Sequence, residues 1–414
     1  MIPKYDIVIL GAGLIGSSIA YHLSQAAKKE NHRFGVAVLD VDLEGRYSAS
    51  ELNAGGARAE WWQSVNIELS KATLSFLAKD PVQFGFRQKG YLWLYDAKGW
   101  QDYLLHKDLY RRHELSIEEL SPKEVQRRAP FLDRLQGVYA ATFSPSDGLF
   151  NPNLLKQFFR SEAKKENVQF MDGARVIEIE TSAKNVGVQY QDLMSERGHP
   201  NPDHVFQILS QKNGTFHYPT KKINTDMLIN AAGVWSSALA SLYGHEVVCL
   251  PVRRQISLFD CQGLDLSPYG MIVDTSGLYV HAEGDHILGG FAIPQEPVGF
   301  NFQYDGDLFF EEQIWPRFYE RVSRAQALKH LKGWAGLYSV TKDRSGILGQ
   351  VKGEPRIYEA HSFTGRGAMQ SYGVGLAVSE LVLKGKAICM DITSLHPDRF
   401  RKPHGKLLYE GMHI

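Results

Sequence analysis

The chain has 414 residues, with 46 basic and 46 acidic side chains and a formal charge of zero. That length exceeds what a single core usually fills, so two domains are expected. The even charge argues against a nucleic-acid partner, which usually meets a basic excess, and no apolar run reaches the roughly 20 residues of a transmembrane segment.

Tyr5 to Leu10 clusters apolar, β-branched residues and reads as a buried strand. Leu14 to Lys29 places Leu14, Ile15, Ile19, Ala20 and Leu23 at helical spacing, and its basic end suits the helix dipole. Phe34 to Leu39 reads as the next strand and runs into Asp40. Between the first strand and the helix stands Gly11-x-Gly13-x-x-Gly16. Gly11 permits a tight turn, Gly13 lets a diphosphate approach the backbone, and Gly16 lets helix and strand pack closely. The helix start adds free N–H groups and partial positive charge. Asp40 stands where an acid accepts hydrogen bonds from a ribose. A dinucleotide site follows, with NAD and FAD both open at this point.

The glycines interrupt the N-terminal apolar run, and no basic segment precedes it, so a signal peptide is not expected. Cys249, Cys261 and Cys389 are scattered without a CxxC pair, which speaks against a disulfide framework or a zinc site. A reducing, cytoplasmic setting is the expectation.

After Asp40, "RYSASELNAGGARAEWW" (Arg46 to Trp62) is rich in small residues, which suits close approach of a flavin ring or a diphosphate. Tyr91 to Leu94, Gln169 to Glu180 and Val186 to Tyr190 alternate and suit a second, mostly antiparallel sheet. Ser195 to Asn213 reads as a surface loop. Asp226 to Asn230 is a short strand leading into Ala231, Ala232 and Gly233. Ser276 to Phe291 reads as a hairpin turning at Glu283 to Asp285. Arg356 to His361 is a late strand, followed by a helix over Val374 to Leu383. Residues 1–82, 153–182, 222–250 and 330–414 are assigned to the nucleotide-binding domain, and 83–152, 183–221 and 251–329 to a substrate domain.

Ser48, Ser50, Asn53, Ala54, Gly55 and Gly56 resemble the second flavin-contact segment of the D-amino-acid oxidase superfamily. That superfamily includes glycine oxidase, monomeric sarcosine oxidase and the sarcosine and dimethylglycine dehydrogenases. "LINAAGVWS" (Leu228 to Ser236) is similar to its second nucleotide-contact stretch, and "GLYSVTKDRSGILG" (Gly336 to Gly349) to the segment beside the flavin. "SFTGRGAMQSYGVG" (Ser362 to Gly375) resembles its last flavin loop. The N-terminal half most resembles the branch of FAD-dependent oxidoreductase domain-containing proteins. The resemblance implies an α/β fold: a Rossmann-like FAD-binding domain of the glutathione-reductase type, interleaved with a second domain built on a mostly antiparallel β-sheet. It implies FAD contacts from Gly11, Gly13, Leu14, Ile15, Gly16, Asp40, Ala231, Ala232, Gly233, Trp235, Gly336, Gly365, Arg366, Gly367, Ala368 and Met369, with backbone of Val176 at the adenine.

The chain departs from that pattern at several places. Gly336 stands where some members tether the flavin to a cysteine, so noncovalent FAD is expected. Met369 replaces a lysine, and Trp61 an arginine, that help hold a substrate carboxylate. Ile287 or Leu288 occupies the area of a lysine linked to oxygen reactivity. Arg58, Arg254 and Arg366 are the remaining candidates to bind a carboxylate, with Arg366 favoured. Tyr338 is a candidate to orient an amine, Trp61 and Trp62 to wall the pocket, and His281, alternating with Tyr279, to line it. The resulting reading is an amine or amino-acid oxidoreductase. It uses hydride transfer to flavin N5 and acts as a dehydrogenase with an unidentified electron acceptor. A 2-hydroxy-acid dehydrogenase and a flavin-bearing assembly or binding protein with vestigial redox activity stay open.

Overall fold

The computed structural model describes residues 1–31, 34–194, 200–211, 216–401 and 407–412. Its N-terminal unit is β1 (Lys4–Leu10), α1 (Leu14–Lys29) and β2 (Val36–Leu39). Both strands lie in a parallel arrangement with Thr220–Asn230 and Gln169–Met171, and Glu354–His361 joins parallel to Thr220–Asn230. Ile347–Val351 closes one edge in the antiparallel sense. Side chains of β1 alternate between two cores. Ile7 and Ile9 pack with Ile19, Leu23, Val374 and Val378 of α1 and the C-terminal helix Gly367–Lys384. Val8 and Leu10 pack with Val186, Val188, Ile223 and Leu228 on the other side. A central strand apolar on both faces is what a sheet covered on both sides requires.

The second sheet has eight strands in the order Leu328–Val340, Leu250–Cys261, His286–Phe291, Tyr279–Glu283, Met271–Val273, Tyr91–Tyr95, Ala140–Ser144 and Glu118–Leu120. Its pairings are antiparallel except that of Met271–Val273 with Tyr91–Tyr95. The hairpin over Tyr279–Phe291 turns at Gly284 and Asp285, as the alternation implied.

Three expectations are corrected. The strands Gln169–Met171, Ala174–Thr181 and Val186–Asp192 belong to the first sheet, not the second. Alternation sets a strand's two faces but not its partner, and here Val186–Asp192 pairs with both Thr220–Asn230 and Ala174–Thr181. The assignment of 183–221 to the substrate domain therefore fails for this strand, and the boundary at 330 cuts through Leu328–Val340 of the second sheet. Within the stretch read as a loop, Pro202–Leu209 is a helix capped by the Asn201 side chain, with Val205 and Ile208 buried. Residues 195–199 and 212–213 of that reading lie outside the described residues.

The tightest contact in the N-terminal unit is at Gly16, where a β-carbon would sit 1.9 Å from the Gly11 carbonyl oxygen. Neither backbone can yield without breaking the turn. We expect Gly16→Val to destabilise the protein by at least about 3 kcal/mol, seen as a lowered denaturant midpoint together with loss of bound cofactor; an unchanged midpoint would contradict this packing. Of the buried histidines, His22 and His281 are each pulled by burial from 6.5 down to about 4. The unfolded chain therefore takes up protons near pH 6.5 that the folded chain refuses until about pH 4. Stability should fall as pH drops through that window, by roughly 1.4 kcal/mol per pH unit for each ring. Thermal unfolding at pH 7.5 and pH 5 reads this directly, and His22→Leu should remove part of the difference.

Candidate functional site

A cavity of about 720 Å³ opens at the C-terminal ends of β1, β2 and the strands Thr220–Asn230 and Glu354–His361. Ligands of open parallel sheets bind at that edge. At one end the wall is Gly11, Gly13, Leu14 and Ile15. Gly11 has φ of 97°, and a β-carbon there would lie 2.6 Å from the Ala231 carbonyl oxygen, so only glycine brings the two turns together. Gly13 caps α1 without a side-chain hydrogen bond, while the Leu14 N–H donates to Ser50 Oγ at 2.9 Å. Asp40 is fixed by two N–H donors, Ala12 at 2.6 Å and Asp42 at 3.0 Å. Burial pushes its carboxyl group above the usual range. Gly16 packs behind this wall and does not reach the cavity.

Ser48, Ser50, Asn53, Ala54, Val176, Ala231, Ala232, Gly233, Trp235, Gly336, Gly365, Gly367 and Ala368 complete most of the expected wall. Gly55 and Gly56 do not line it. Gly55 is held by the Asn53 side chain at 2.7 Å, and Gly56 pairs with Leu149 under the Tyr91 hydroxyl. Both shape the turn rather than touch the cavity. Met369 also lies off the wall, packed against aromatic residues.

Arg160 was not anticipated from sequence. It reaches from the helix Pro152–Lys165 to the cavity and donates to the carbonyl oxygens of Leu43, at 2.7 Å, and Ala12, and to Ser17 Oγ at 3.2 Å. It thereby braces the glycine turn. Nothing in that amphipathic helix distinguishes Arg160 from the other basic residues of its sequence.

The opposite end of the cavity is aromatic and cationic. Arg254, Ile256, Tyr279 and Tyr338 line it beside Gly336 and Gly365. The Arg254 guanidinium lies 5.2 Å from the Tyr338 ring centre. Its Nη1 donates to the Arg253 carbonyl oxygen at 2.8 Å, and its Nε has no hydrogen-bond partner among the described residues. Neighbouring Arg253 instead forms ion pairs with Glu296 and Asp305. Gly365, with φ of 82°, presses so closely on Tyr338 that a β-carbon would sit 2.4 Å from its ring. Burial raises the Tyr338 phenol above its ordinary range, so it stays a hydroxyl donor.

Arg366 is 2% exposed and is not on the cavity wall, although Gly365 and Gly367 on either side of it are. Its guanidinium lies 5.0 Å from the Trp61 ring, and none of its three nitrogens has a hydrogen-bond partner among the described residues. Burial pulls its pKa down to about 10, so it keeps its charge at neutral pH. Arg58 is buried over Trp61 and Trp93 and is satisfied by the carbonyl oxygens of Glu60 and Met412. His281 is corrected as a wall residue. It is buried off the cavity with Nδ1 on the Ala282 carbonyl oxygen at 2.8 Å, whereas Tyr279 lines it. Ile287 and Leu288 are buried in apolar surroundings.

A family model described as "DAO: FAD dependent oxidoreductase" matches residues 6–381. The chain is 29% identical to FAD-dependent oxidoreductase domain-containing protein 1 of Xenopus laevis, over 96% of this chain and 83% of the relative. It is 23% identical to monomeric sarcosine oxidase of a Bacillus species, over 93% of this chain and 94% of that one. Among solved structures, L-proline dehydrogenase from P. horikoshii superposes with a TM-score of 0.81 at 21% identity, covering 97% of this chain and 99% of the other. FAD is the cofactor. The glycine turn, Asp40 and the backbone of 231–233 fit its nucleotide half, and the small residues Gly336, Gly365, Gly367 and Ala368 leave room for a flat ring. Among the described residues no group of histidine, cysteine or acidic side chains is arranged to hold a metal, and no helix is long and apolar enough to cross a membrane.

Asp40 is predicted to contribute through its charge and its two backbone bonds. Asp40→Ala should raise the FAD dissociation constant by about 30-fold, the equivalent of roughly 2 kcal/mol for hydrogen bonds to a charged group. Flavin fluorescence on dilution of the holoprotein measures this, and wild-type affinity in the variant would contradict the assignment.

Proposed function

The chain belongs to the DAO family of FAD-dependent oxidoreductases, and from that premise we propose that it oxidises the C–N bond of a small amine or amino acid, acting as a dehydrogenase. FAD, when bound, supplies a hydride acceptor at its N5 atom. The protein's own part is to hold the substrate beside it. The observation that carries this reading is the Arg254 guanidinium, which lines the aromatic end of the cavity and whose Nε has no hydrogen-bond partner among the described residues. A buried cation without a partner is costly, and a carboxylate satisfies it in a bidentate manner. Arg254 is the cation that reaches the cavity. Arg366, next to Trp61, adds positive potential from behind the wall. The Tyr338 hydroxyl and the Tyr279 ring flank the same space and suit an amine.

Two observations favour a dehydrogenase. No lysine lines the cavity among the described residues. The positions Ile287 and Leu288 are apolar and buried. None of the three cysteines lines the cavity either, which supports noncovalent FAD. Similarity to a sarcosine oxidase agrees with an amine substrate.

The test is anaerobic mixing of the holoprotein with N-methyl amino acids, cyclic imino acids, primary amino acids, plain amines and 2-hydroxy acids, following loss of flavin absorbance. A carboxylate-bearing amine should bleach the flavin, and Arg254→Met should raise its half-saturating concentration by about 100-fold, near the upper limit for one charged hydrogen-bond pair. Reoxidation in air should be slow against transfer to an artificial acceptor. Bleaching by hydroxy acids alone, or oxidase-like reoxidation, would overturn the proposal.

A further inference from the structure

Tyr47, Phe206, Trp235, Phe300 and Phe302 gather on the nucleotide side of the cavity, and among the described residues none of them belongs to the cores that hold the two sheets. Tyr47 follows β2 and Trp235 follows Thr220–Asn230, and both line the cavity. Phe206 stands on the helix Pro202–Leu209, and Phe302 on the loop between His286–Phe291 and Asp307. The Tyr47 ring centre lies 5.4 Å from that of Phe206 and 5.1 Å from that of Phe302, and Phe206 and Phe302 are 6.4 Å apart. Trp235 stacks on Phe302 at 6.5 Å and on Phe300 at 6.2 Å, with interplanar angles of 17° and 27°. The rings thus tie segments of the nucleotide-binding half to a loop of the second sheet.

The helix is the cover that this cluster fastens. Ile208 and Leu209 line the cavity along with Ala231, Ala232 and Gly233, while Pro202 and Asp203 of the same helix are exposed. The wall there is one helix thick. Trp235 Nε1 donates to the Leu209 carbonyl oxygen at 2.7 Å, His204 Nδ1 lies 2.6 Å from the Tyr218 hydroxyl, and Phe206 meets Tyr47 and Phe302. The loop that carries Phe302 is pinned in turn. Arg253 pairs with Glu296 and Asp305 and donates to the Gln303 carbonyl oxygen at 2.8 Å, and the Gly299 N–H donates to the Pro251 carbonyl oxygen at 2.9 Å. Half-buried rings outside a core let such a cover open locally while both sheets stay folded.

We propose that Tyr47, Phe206, Trp235 and Phe302 form an aromatic clasp that closes the helix Pro202–Leu209 over bound FAD and sets how fast the cofactor enters and leaves. Ring packing and the Trp235 hydrogen bond hold the closed state, and no covalent bond forms or breaks. Entry and exit use the same opening, so loosening the clasp speeds both. Phe206 and Phe302 are positioning residues: neither lines the cavity, and each acts through Tyr47 or Trp235. The inference rests on FAD occupying the cavity and is independent of the substrate reading, which concerns Arg254 at the other end.

Dilution of the holoprotein, followed by flavin fluorescence, gives the FAD off-rate from the time course and the dissociation constant from the plateau; their quotient is the on-rate. Phe206→Ala and Phe302→Ala should each raise the off-rate by about tenfold and the on-rate nearly as much, leaving the dissociation constant within about threefold of the wild type. The two rings work as one unit, so the double variant should exchange FAD at most about threefold faster than either single one. Phe206→Leu and Phe302→Leu keep the apolar bulk, which guards against misfolding, and should speed exchange in the same sense by about threefold. An off-rate and a dissociation constant that rise together, with the on-rate unchanged, mark plain packing and overturn the clasp. Unchanged rates in all the variants overturn it too, as do single effects that multiply in the double variant. A wild-type protein that holds no FAD overturns the cofactor assignment, and the clasp with it.

Discussion

Everything at the site depends on how closely one helix start approaches one strand end. Gly16 rests on the carbonyl of Gly11, and Gly11 rests on the backbone of Ala231. Those contacts draw the ends of β1 and Thr220–Asn230 and the start of α1 into a single backbone surface. The glycines keep β-carbons off that surface, and the helix dipole gives it a positive sign. Asp40 and Arg160 then lock the turn from either side through Ala12. The site is rigid because backbone groups build it, and rigidity is what a large flat cofactor needs if its reactive atom is to be placed within a fraction of an ångström.

At the far end the logic is reversed, since side chains define the space. Aromatic rings form the walls, and the guanidinium groups are left short of partners. A buried cation without an anion is tolerated in a folded protein only where something offsets its desolvation, and here the nearby negative charge of Glu410 and the ring of Trp61 do part of that. The two ends thus present different chemistry: one positions through peptide groups, the other selects through charge.

The N-terminal unit was legible because steric rules write it into the residues. Three glycines at fixed spacing, a helical stripe and an acid after the second strand admit few other arrangements. The late flavin loop was readable through resemblance alone. What stayed hidden has physical causes. Alternation in Val186–Tyr190 describes two faces but not which sheet they join. The helix Pro202–Leu209 lies in a stretch whose prolines, asparagines and glycines read as loop, although Asn201 and Pro202 are themselves a helix start. His281 and Tyr279 alternate correctly, yet only one reaches the cavity, because exposure along a strand depends on where the sheet ends. Arg160 carries no motif, since its meaning comes from tertiary placement.

The pairing of β1 also has a temporal consequence. One neighbour, β2, is fewer than 40 residues away in the chain, but the other, Thr220–Asn230, is separated from it by more than 200 positions. During synthesis the early βαβ unit therefore waits with an open strand edge while almost half of the polypeptide is made. Closing so long a loop is slow, and an unpaired apolar edge is prone to pair with other chains in the meantime. The interleaving that brings distant segments around one cofactor thus makes the youngest state of the protein its most aggregation-prone, a period when a chaperone has most to protect.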